Sequence, residues 1–226
     1  YPNPFLMNFP EWRLIISGAL PGPLNMAYDE TLFDAVAAGN SPPVLRLYSW
    51  EQATVTLGYA QDFRNAVNPE FCRERNLPAV RRITGGRAVI HDRELTYAVI
   101  SSEKNNLFPG GIQGNYAVVA GLLKEAIEQF GISVEMASGK RGGTLDGIRD
   151  FRYNACFHAP SIHELMVAGC KISGSAQIRR QGCFLQHGSI PLDMDLELAV
   201  QALSPGRRGS VPGGMAALAR KVQGER

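Results

Sequence analysis

Apolar and polar residues form strand-like patterns in nine segments of the chain, several of them with the alternation of half-buried strands. Helical spacing occurs in fewer segments. The strand-like patterns predict strands at 44–48, 54–59, 79–82, 88–91, 95–100, 132–136, 164–168, 171–177 and 184–191. The first two strands flank a short polar turn at 50–53, so we expect them to pair as a hairpin.

Four segments have the spacing or the end signals of helices. The first begins at Asn25 as its N-cap and ends at Gly39. The others are expected at 69–75, 116–130 and 196–203, the second of these with Gly131 as its stop. Because the strands arrive in runs and do not alternate with helices, the pattern predicts an α+β fold with an antiparallel-rich sheet and few helices.

The chain has the length of one catalytic domain, with 226 residues. Residues 1–10 contain three prolines and are expected to form an extended arm. The segment 137–153 contains four glycines and is expected to be a long mobile loop. The stretch 204–226 is rich in Gly, Pro and Arg and is expected to be a tail with weak helical potential.

Composition excludes several classes of protein. Hydrophobic residues make up 45% of the chain, which excludes global disorder, and no apolar stretch reaches the roughly 18 residues of a membrane helix. The net charge of +2 gives no support for a nucleic-acid partner. The four cysteines form no C-x-x-C pair and no signal peptide is recognisable, so we expect a cytoplasmic protein without a metal site.

A glycine pair lies between two of the expected strands. Gly85 and Gly86 follow Arg81 and Arg82 and precede Arg87. Glycines let a backbone approach a ligand and expose its amide N–H groups, and three arginines suit a carboxylate or a phosphate. The alternative is a tight hairpin with a basic rim. The segment lacks the endings of a P-loop and of a dinucleotide-binding fingerprint.

Two further segments contain residue types that catalysis uses. Cys156 and His158 are two positions apart and would share one face of a strand, although a free Cys is more commonly a small core residue. Lys171 begins a strand whose small residues leave room for a ligand, although a lysine there could simply cap a surface turn. His187 lies in a polar strand, where it is either a buried, hydrogen-bonded residue or a base.

Four ordered motifs together resemble the superfamily of biotin/lipoate protein ligases and octanoyltransferases, and within it the cysteine-dependent octanoyltransferases of the LipM type. The motifs are Arg82-x-Thr84-Gly85-Gly86-x-Ala88-Val89-x-His91-Asp92, Ala155-Cys156-Phe157-x-x-Pro160-Ser161-x-x-Glu164-Leu165, Gly169-x-Lys171-Ile172-x-Gly174-Ser175-Ala176-Gln177 and Leu185-Gln186-His187-Gly188-Ser189-Ile190. Asn25-Met26-Ala27-x-Asp29-Glu30 precedes them in the first helix. The resemblance covers roughly residues 10–200, and 204–226 departs from it.

The resemblance implies a fold with a mixed, antiparallel-rich central sheet flanked by helices. It also implies transfer of an octanoyl group from octanoyl-acyl carrier protein to a lysine of a lipoyl domain or glycine-cleavage H protein, without a cofactor. Cys156 would carry the acyl group as a thioester. Lys171 would favour the thiolate and contact the acyl carbonyl. The expected substrate-binding residues are Arg82, Thr84, Gly85, Gly86, His91, Gly174, Ser175, Ala176 and His187. A base for the acceptor lysine is also needed, and the candidates are His91, His158 and His163.

Three other functions are compatible with the same residues. An ATP-dependent lipoate or octanoate ligase would use Arg82 and the glycine pair to hold an acyl-adenylate, and Cys156 would be incidental. An amidotransferase would take octanoate from an H protein. A non-catalytic acyl-binding protein would bind the donor without turnover.

Overall fold

A computed structural model describes residues 11–137 and 163–203 of the chain. It contains eleven strands and five helices within those ranges. The strands are β1 (Arg13–Leu20), β2 (Val44–Trp50), β3 (Thr54–Leu57), β4 (Ala79–Arg81), β5 (Val89–His91), β6 (Glu94–Ser102), β7 (Glu135–Met136), β8 (Leu165–Val167), β9 (Cys170–Lys171), β10 (Gly174–Arg180) and β11 (Cys183–Pro191). The helices are α1 (Gly22–Ala37), α2 (Phe63–Ala66), α3 (Pro69–Glu74), α4 (Ile112–Glu128) and α5 (Leu196–Leu203).

The central sheet has five strands in the order β1-β2-β6-β11-β10, with only β1 and β2 parallel. Two three-stranded sheets, β4-β3-β5 and β7-β8-β9, accompany it. The α+β prediction with a mixed, antiparallel-rich central sheet is confirmed.

The two long helices cover opposite faces of the central sheet. Phe33 of α1 packs in a buried cluster with Ile100 and Leu185 of the sheet. The neighbouring sheet residue Phe184 belongs instead to the cluster that contains Val119 of α4. Successive side chains of a strand point to opposite faces, so each helix buries one side of the same sheet.

The structure corrects three details of the sequence prediction. β2 and β3 do not form a hairpin, because β2 lies in the central sheet while β3 pairs with β4 and β5. Asn25 is not an N-cap, because α1 already begins at Gly22, with Pro at its first turn, and Asn25 is fully buried inside the helix. The strand expected at 171–177 is divided into β9 and β10, which belong to different sheets.

Several predicted features lie outside the described residues. They are the arm at 1–10, nearly all of the loop at 137–153, the segment 154–161 with Cys156 and His158, and the tail at 204–226. In the part of the chain that the structure describes, no helix has the length and apolar character needed to cross a bilayer.

Candidate active site

A cavity of about 390 Å³ lies where the central sheet meets the two smaller sheets. Volumes of roughly 300–1,000 Å³ are typical of small-molecule sites. Its lining comes from α1, from strands of all three sheets and from the glycine loop between β4 and β5. The lining residues are Met26, Tyr48, Trp50, Thr56, Arg82, Gly86, Arg87, Val89, His91, Thr96, Glu164, Lys171, Gly174, Ser175, Ala176, His187, Gly188 and Ser189.

Most of the site residues expected from the sequence meet in this cavity. Lys171 lines it, together with Arg82, Gly86, His91, Gly174, Ser175, Ala176 and His187. Thr84 is completely buried and hydrogen-bonded to two of these residues, while Gly85 lies exposed on the loop. His163 does not line the cavity and has a backbone φ of 67°.

The glycine loop crosses over the end of β3. β4 and β5 lie on either side of β3 and do not pair with each other, so the segment is not a tight hairpin. The backbone N–H of Tyr59 donates to the Thr84 carbonyl over 2.9 Å. A Cβ atom on Gly58 would stand 1.9 Å from the Gly86 carbonyl oxygen. The loop can therefore lie against β3 only because residue 58 has no side chain.

Gly58→Ala should displace the glycine loop from the cavity, because the new methyl group and the Gly86 carbonyl cannot occupy the same space. We expect loss of acyl-donor binding together with lower thermal stability, measured by titration and thermal unfolding. Gly121→Ala in α4 is the control, since its Cβ would meet no atom within 4 Å. That variant should gain up to about 1 kcal/mol from helix propensity. Normal donor binding by a folded Gly58→Ala protein would contradict the role of this contact.

Arg82 is turned inward, and each nitrogen of its guanidinium donates to the protein. Nη2 donates to the carbonyl oxygens of Gly85 and Arg87, at 2.8 Å each. Nη1 donates to the carbonyl and hydroxyl oxygens of Thr56, at 3.2 and 3.0 Å, and Nε donates to the Thr84 hydroxyl at 3.1 Å. This side chain therefore closes the glycine loop and links it to the residues behind the cavity.

One hydrogen-bonded chain runs from Arg82 to α1. The Thr84 hydroxyl accepts from Arg82 and is hydrogen-bonded to Nε2 of His187 over 2.7 Å. His187 Nδ1–H then donates to Asp29 Oδ2 over 2.9 Å. Burial lowers the pKa of His187, with the Asp29 hydrogen bond acting in the opposite direction. The imidazole is therefore neutral, with its proton on Nδ1.

A second chain repeats this arrangement on the other side of Arg82. The Thr56 hydroxyl accepts from Arg82 and is hydrogen-bonded to Nε2 of His91 over 2.8 Å. His91 Nδ1 donates to Glu94 Oε1 over 2.8 Å, and the Trp50 ring stacks on the imidazole with centroids 4.1 Å apart. Burial acts to raise the pKa of Glu94, but His91 and the hydrogen bonds to the carboxylate outweigh it, so this pKa is lowered. Both nitrogens of both histidines are thus engaged.

A buried ion pair stabilises the end of the first hydrogen-bonded chain, because both include Asp29. Arg46 is fully buried, and its Nη1 donates to Asp29 Oδ1 over 2.7 Å. Its Nη2 donates to Asn25 Oδ1 over 2.6 Å, and Tyr48 OH donates to Asp29 Oδ2 over 2.8 Å. Sequence reasoning gave Asn25, Asp29 and Arg46 no such role. The available signal was that Asn25 and Asp29 lie four positions apart, on one face of the helix.

Lys171 enters the cavity from the small third sheet. Its Nζ donates to Glu164 Oε1 over 2.5 Å, and the two side chains are only 4% and 12% exposed. Glu164 also lines the cavity. Sequence reasoning gave Glu164 no role beyond its place in a motif. The pair puts a positive and a negative group side by side in a shielded site.

Small residues of β10 and β11 form one wall of the cavity. Gly174, Ser175 and Ala176 pair with Ser189, Gly188 and His187 across the two strands. A Cβ on Gly188 would stand 2.7 Å from both the Ser175 hydroxyl and the Tyr97 hydroxyl. Those two hydroxyls are hydrogen-bonded to each other at 2.7 Å. The side chains of this wall are therefore short and held in position.

The α+β fold carries a cavity of about 390 Å³ lined by buried charged and polar groups, and comparison with known families identifies its class. The lipoyl protein ligase A/B catalytic domain matches residues 21–224, and the chain belongs to this family. The crystal structure of lipoate-protein ligase A bound with ATP has the same fold, with a TM-score of 0.70 and 24% identity over 91% of this chain and 75% of that one.

The particular relatives within the family are octanoyltransferases. The chain is 41% identical to octanoyltransferase LipM of Brevibacillus brevis, over 85% of this chain and 70% of the relative. It is 41% identical to octanoyltransferase LipM of Bacillus subtilis, over 81% of this chain and 66% of that protein. The chain thus spans about two thirds of the length of these relatives. The resemblance drawn from the four motifs is confirmed, and the chain is an acyltransferase.

Proposed function

We propose that the protein transfers an octanoyl group from octanoyl-acyl carrier protein, through a thioester on Cys156, to a lysine of a lipoyl domain or glycine-cleavage H protein. One observation carries the proposal. The Lys171 ammonium lies buried in a cavity of about 390 Å³, in a chain about 40% identical to octanoyltransferases. The reaction belongs to lipoate assembly, and its natural location is the cytoplasm.

The chemistry requires a thiolate near a positive charge. Exchange of one thioester for another needs no external energy source, so a Cys can hold the acyl group without ATP. A free thiol has a pKa of about 8.5, and a neighbouring cation favours the thiolate near neutral pH. Lys171 is the residue that we assign to this role, and its ammonium would also stabilise negative charge on the acyl oxygen.

The cavity lining combines apolar side chains with a wall of small residues, and both leave space for an acyl chain. Met26, Tyr48, Trp50 and Val89 contribute apolar surface, and β10 and β11 contribute small residues. Trp50 is held in place by its indole N–H, which donates to Thr96 over 2.7 Å and to Glu94 over 3.0 Å. A medium-length acyl chain is the substrate that such a lining would accept.

The ATP-dependent ligase remains the strongest alternative, since a ligase shares this fold. In that reaction Arg82 and the glycine loop would hold an acyl-adenylate. Here every nitrogen of the Arg82 guanidinium donates to the chain itself, which supports transfer without an adenylate. An amidotransferase differs only in its donor, so octanoyl-H protein and octanoyl-acyl carrier protein should be supplied separately. A non-catalytic protein would bind either donor without turnover.

Intact-mass spectrometry after mixing with octanoyl-acyl carrier protein, in the absence of ATP, tests the proposal. We expect an adduct of about +126 Da, one octanoyl group less the displaced hydrogen. Cys156→Ser should lose the thioester adduct and turnover. Cys170→Ser, beside Lys171 in β9, should retain both. An adduct formed only with ATP, or undiminished turnover by Cys156→Ser, would contradict the proposal.

A further inference from the structure

The Lys171–Glu164 pair suggests where a proton goes in the second half of the proposed reaction. The acceptor lysine arrives as an ammonium and must lose a proton before it attacks the acyl group. We propose that the Glu164 carboxylate accepts this proton, while Lys171 holds the carboxylate in the cavity and keeps its own charge. The inference rests on the proposed function, because it presupposes an acyl-enzyme.

The other titratable side chains among the described residues that line the cavity are poorly suited to take the proton. His91 and His187 each have Nδ1 bonded to a carboxylate and Nε2 bonded to a threonine hydroxyl. Burial and the nearby Asp29 raise the pKa of Tyr48 well above its usual value, so its hydroxyl keeps its proton. The arginines carry no basic lone pair at neutral pH.

Lys171 and Glu164 divide the two electrostatic tasks between them. An ammonium that stabilises a thiolate or an oxyanion must be charged, and a charged ammonium has no lone pair with which to accept a proton. Glu164 is the one carboxylate among the described residues that line the cavity. It lies 2.5 Å from Lys171 Nζ, beside the charge assigned to the reacting centre. A carboxylate can act as a general base toward an acceptor amine that comes within hydrogen-bonding reach of it in the cavity.

The proposed transfer step removes two protons from the acceptor nitrogen. One proton of the acceptor ammonium passes to Glu164, and the freed amine nitrogen forms a bond to the acyl carbon. The carbon–sulfur bond to Cys156 breaks as the amide forms. A second proton of the nitrogen leaves with the Cys156 sulfur, which regenerates the thiol, and Glu164 releases the first proton to solvent.

Glu164→Gln distinguishes proton acceptance by Glu164 from a purely structural contact with Lys171. The amide oxygen of Gln can still accept a hydrogen bond from Lys171, but Gln cannot accept a proton. Single-turnover acylation by octanoyl-acyl carrier protein should stay within about threefold of the unsubstituted enzyme. Transfer from the isolated acyl-enzyme to a lipoyl domain should slow by about 10²–10⁴, the usual contribution of a general base. The acyl-enzyme should therefore accumulate.

The control is Glu128→Gln, which alters another Lys–Glu pair in the same way. Glu128 pairs with Lys124 on the outer face of α4, where the two side chains are 36% and 30% exposed. Both half-reactions should be normal in this variant. Glu164→Asp keeps the charge on a shorter side chain and should transfer faster than Glu164→Gln, which provides a second comparison if Glu164→Gln folds poorly.

Hydroxylamine gives a readout that a purely structural role would not produce. It is uncharged at neutral pH and needs no base, so it should cleave the acyl-enzyme of Glu164→Gln as fast as that of the unsubstituted enzyme. Equal slowing of acylation and transfer, or equal slowing with hydroxylamine, would overturn the assignment of Glu164 as proton acceptor. Normal transfer by Glu164→Gln would overturn it too. Failure of the unsubstituted enzyme to form any acyl-enzyme would instead overturn the proposed function, and this inference with it.

Discussion

Asp29→Asn should lower the free energy of unfolding by about 3–5 kcal/mol, the range for removing one partner of a buried ion pair. Arg46 and Asp29 are 0% and 1% exposed, and their contact is 2.7 Å. Without the carboxylate, the Arg46 charge would stay buried and uncompensated. Asn has one oxygen in place of two, so its NH2 group would face either Arg46 or the donors His187 and Tyr48. Urea unfolding followed by circular dichroism measures the loss.

Asp34→Asn provides the matched control on the same helix. Asp34 pairs with Arg180 at the surface, where the side chains are 56% and 45% exposed. Exposed pairs contribute only about 0–1 kcal/mol, so this variant should unfold almost normally. Arg46→Met combined with Asp29→Asn should be less destabilised than the two single losses added together, because no charge is left unpaired. Equal losses in Asp29→Asn and Asp34→Asn would contradict the importance of the buried pair.

Local signals in the sequence predicted several elements well. α5 has the predicted bounds, and α3 begins after Asn68, whose side chain accepts from the Phe71 backbone N–H over 3.1 Å. Such elements depend on caps and periods that involve neighbouring residues only. The α+β class followed from the order of strands and helices, which is also a property of the chain alone.

Pairing between distant segments could not be predicted in the same way. β2 and β3 are neighbours in sequence with a turn between them, which favours a hairpin. Residues far along the chain decide otherwise, since β6 pairs with β2 and β5 pairs with β3. β1 was missed because its exposed residues Leu14 and Ile16 are apolar, so the alternation of a half-buried strand is absent.

The candidate site also combines residues that local motifs predicted with contacts that they could not predict. The motifs named Lys171, Arg82, His91 and His187, which the fold brings to one cavity. Their hydrogen bonds depend on contacts between residues as far apart as Thr84 and His187, which no local pattern encodes. Arg82 lines the cavity as expected, and its guanidinium also donates to the glycine loop and to Thr56 and Thr84, which the sequence did not predict. Cys156 lies outside the described residues, and its role as nucleophile stays a prediction.

Lys171→Ala should slow acylation of the enzyme by about 10²–10³ in single-turnover experiments, the usual effect of losing one electrostatic contact in an enclosed site. The structure adds a folding cost to this expectation, because Glu164 would lose its ion pair with Lys171 in a site where both side chains are nearly buried. Lys171→Met retains the length of the side chain without its charge and should show the same loss of rate. Rates should therefore be compared only between fractions shown to be folded by circular dichroism.

Lys124→Ala is the control for this experiment, since it removes the lysine of the exposed pair on α4. It should acylate at the rate of the unsubstituted enzyme. The loss in the Lys171 variants should affect acylation as well as transfer, because the ammonium is assigned to the thiolate and to the acyl oxygen. Glu164→Gln should affect transfer alone. The two residues of one ion pair are therefore expected to affect different half-reactions. Near-normal acylation by a folded Lys171→Met protein would remove Lys171 from the reacting centre and leave the pair as a structural contact.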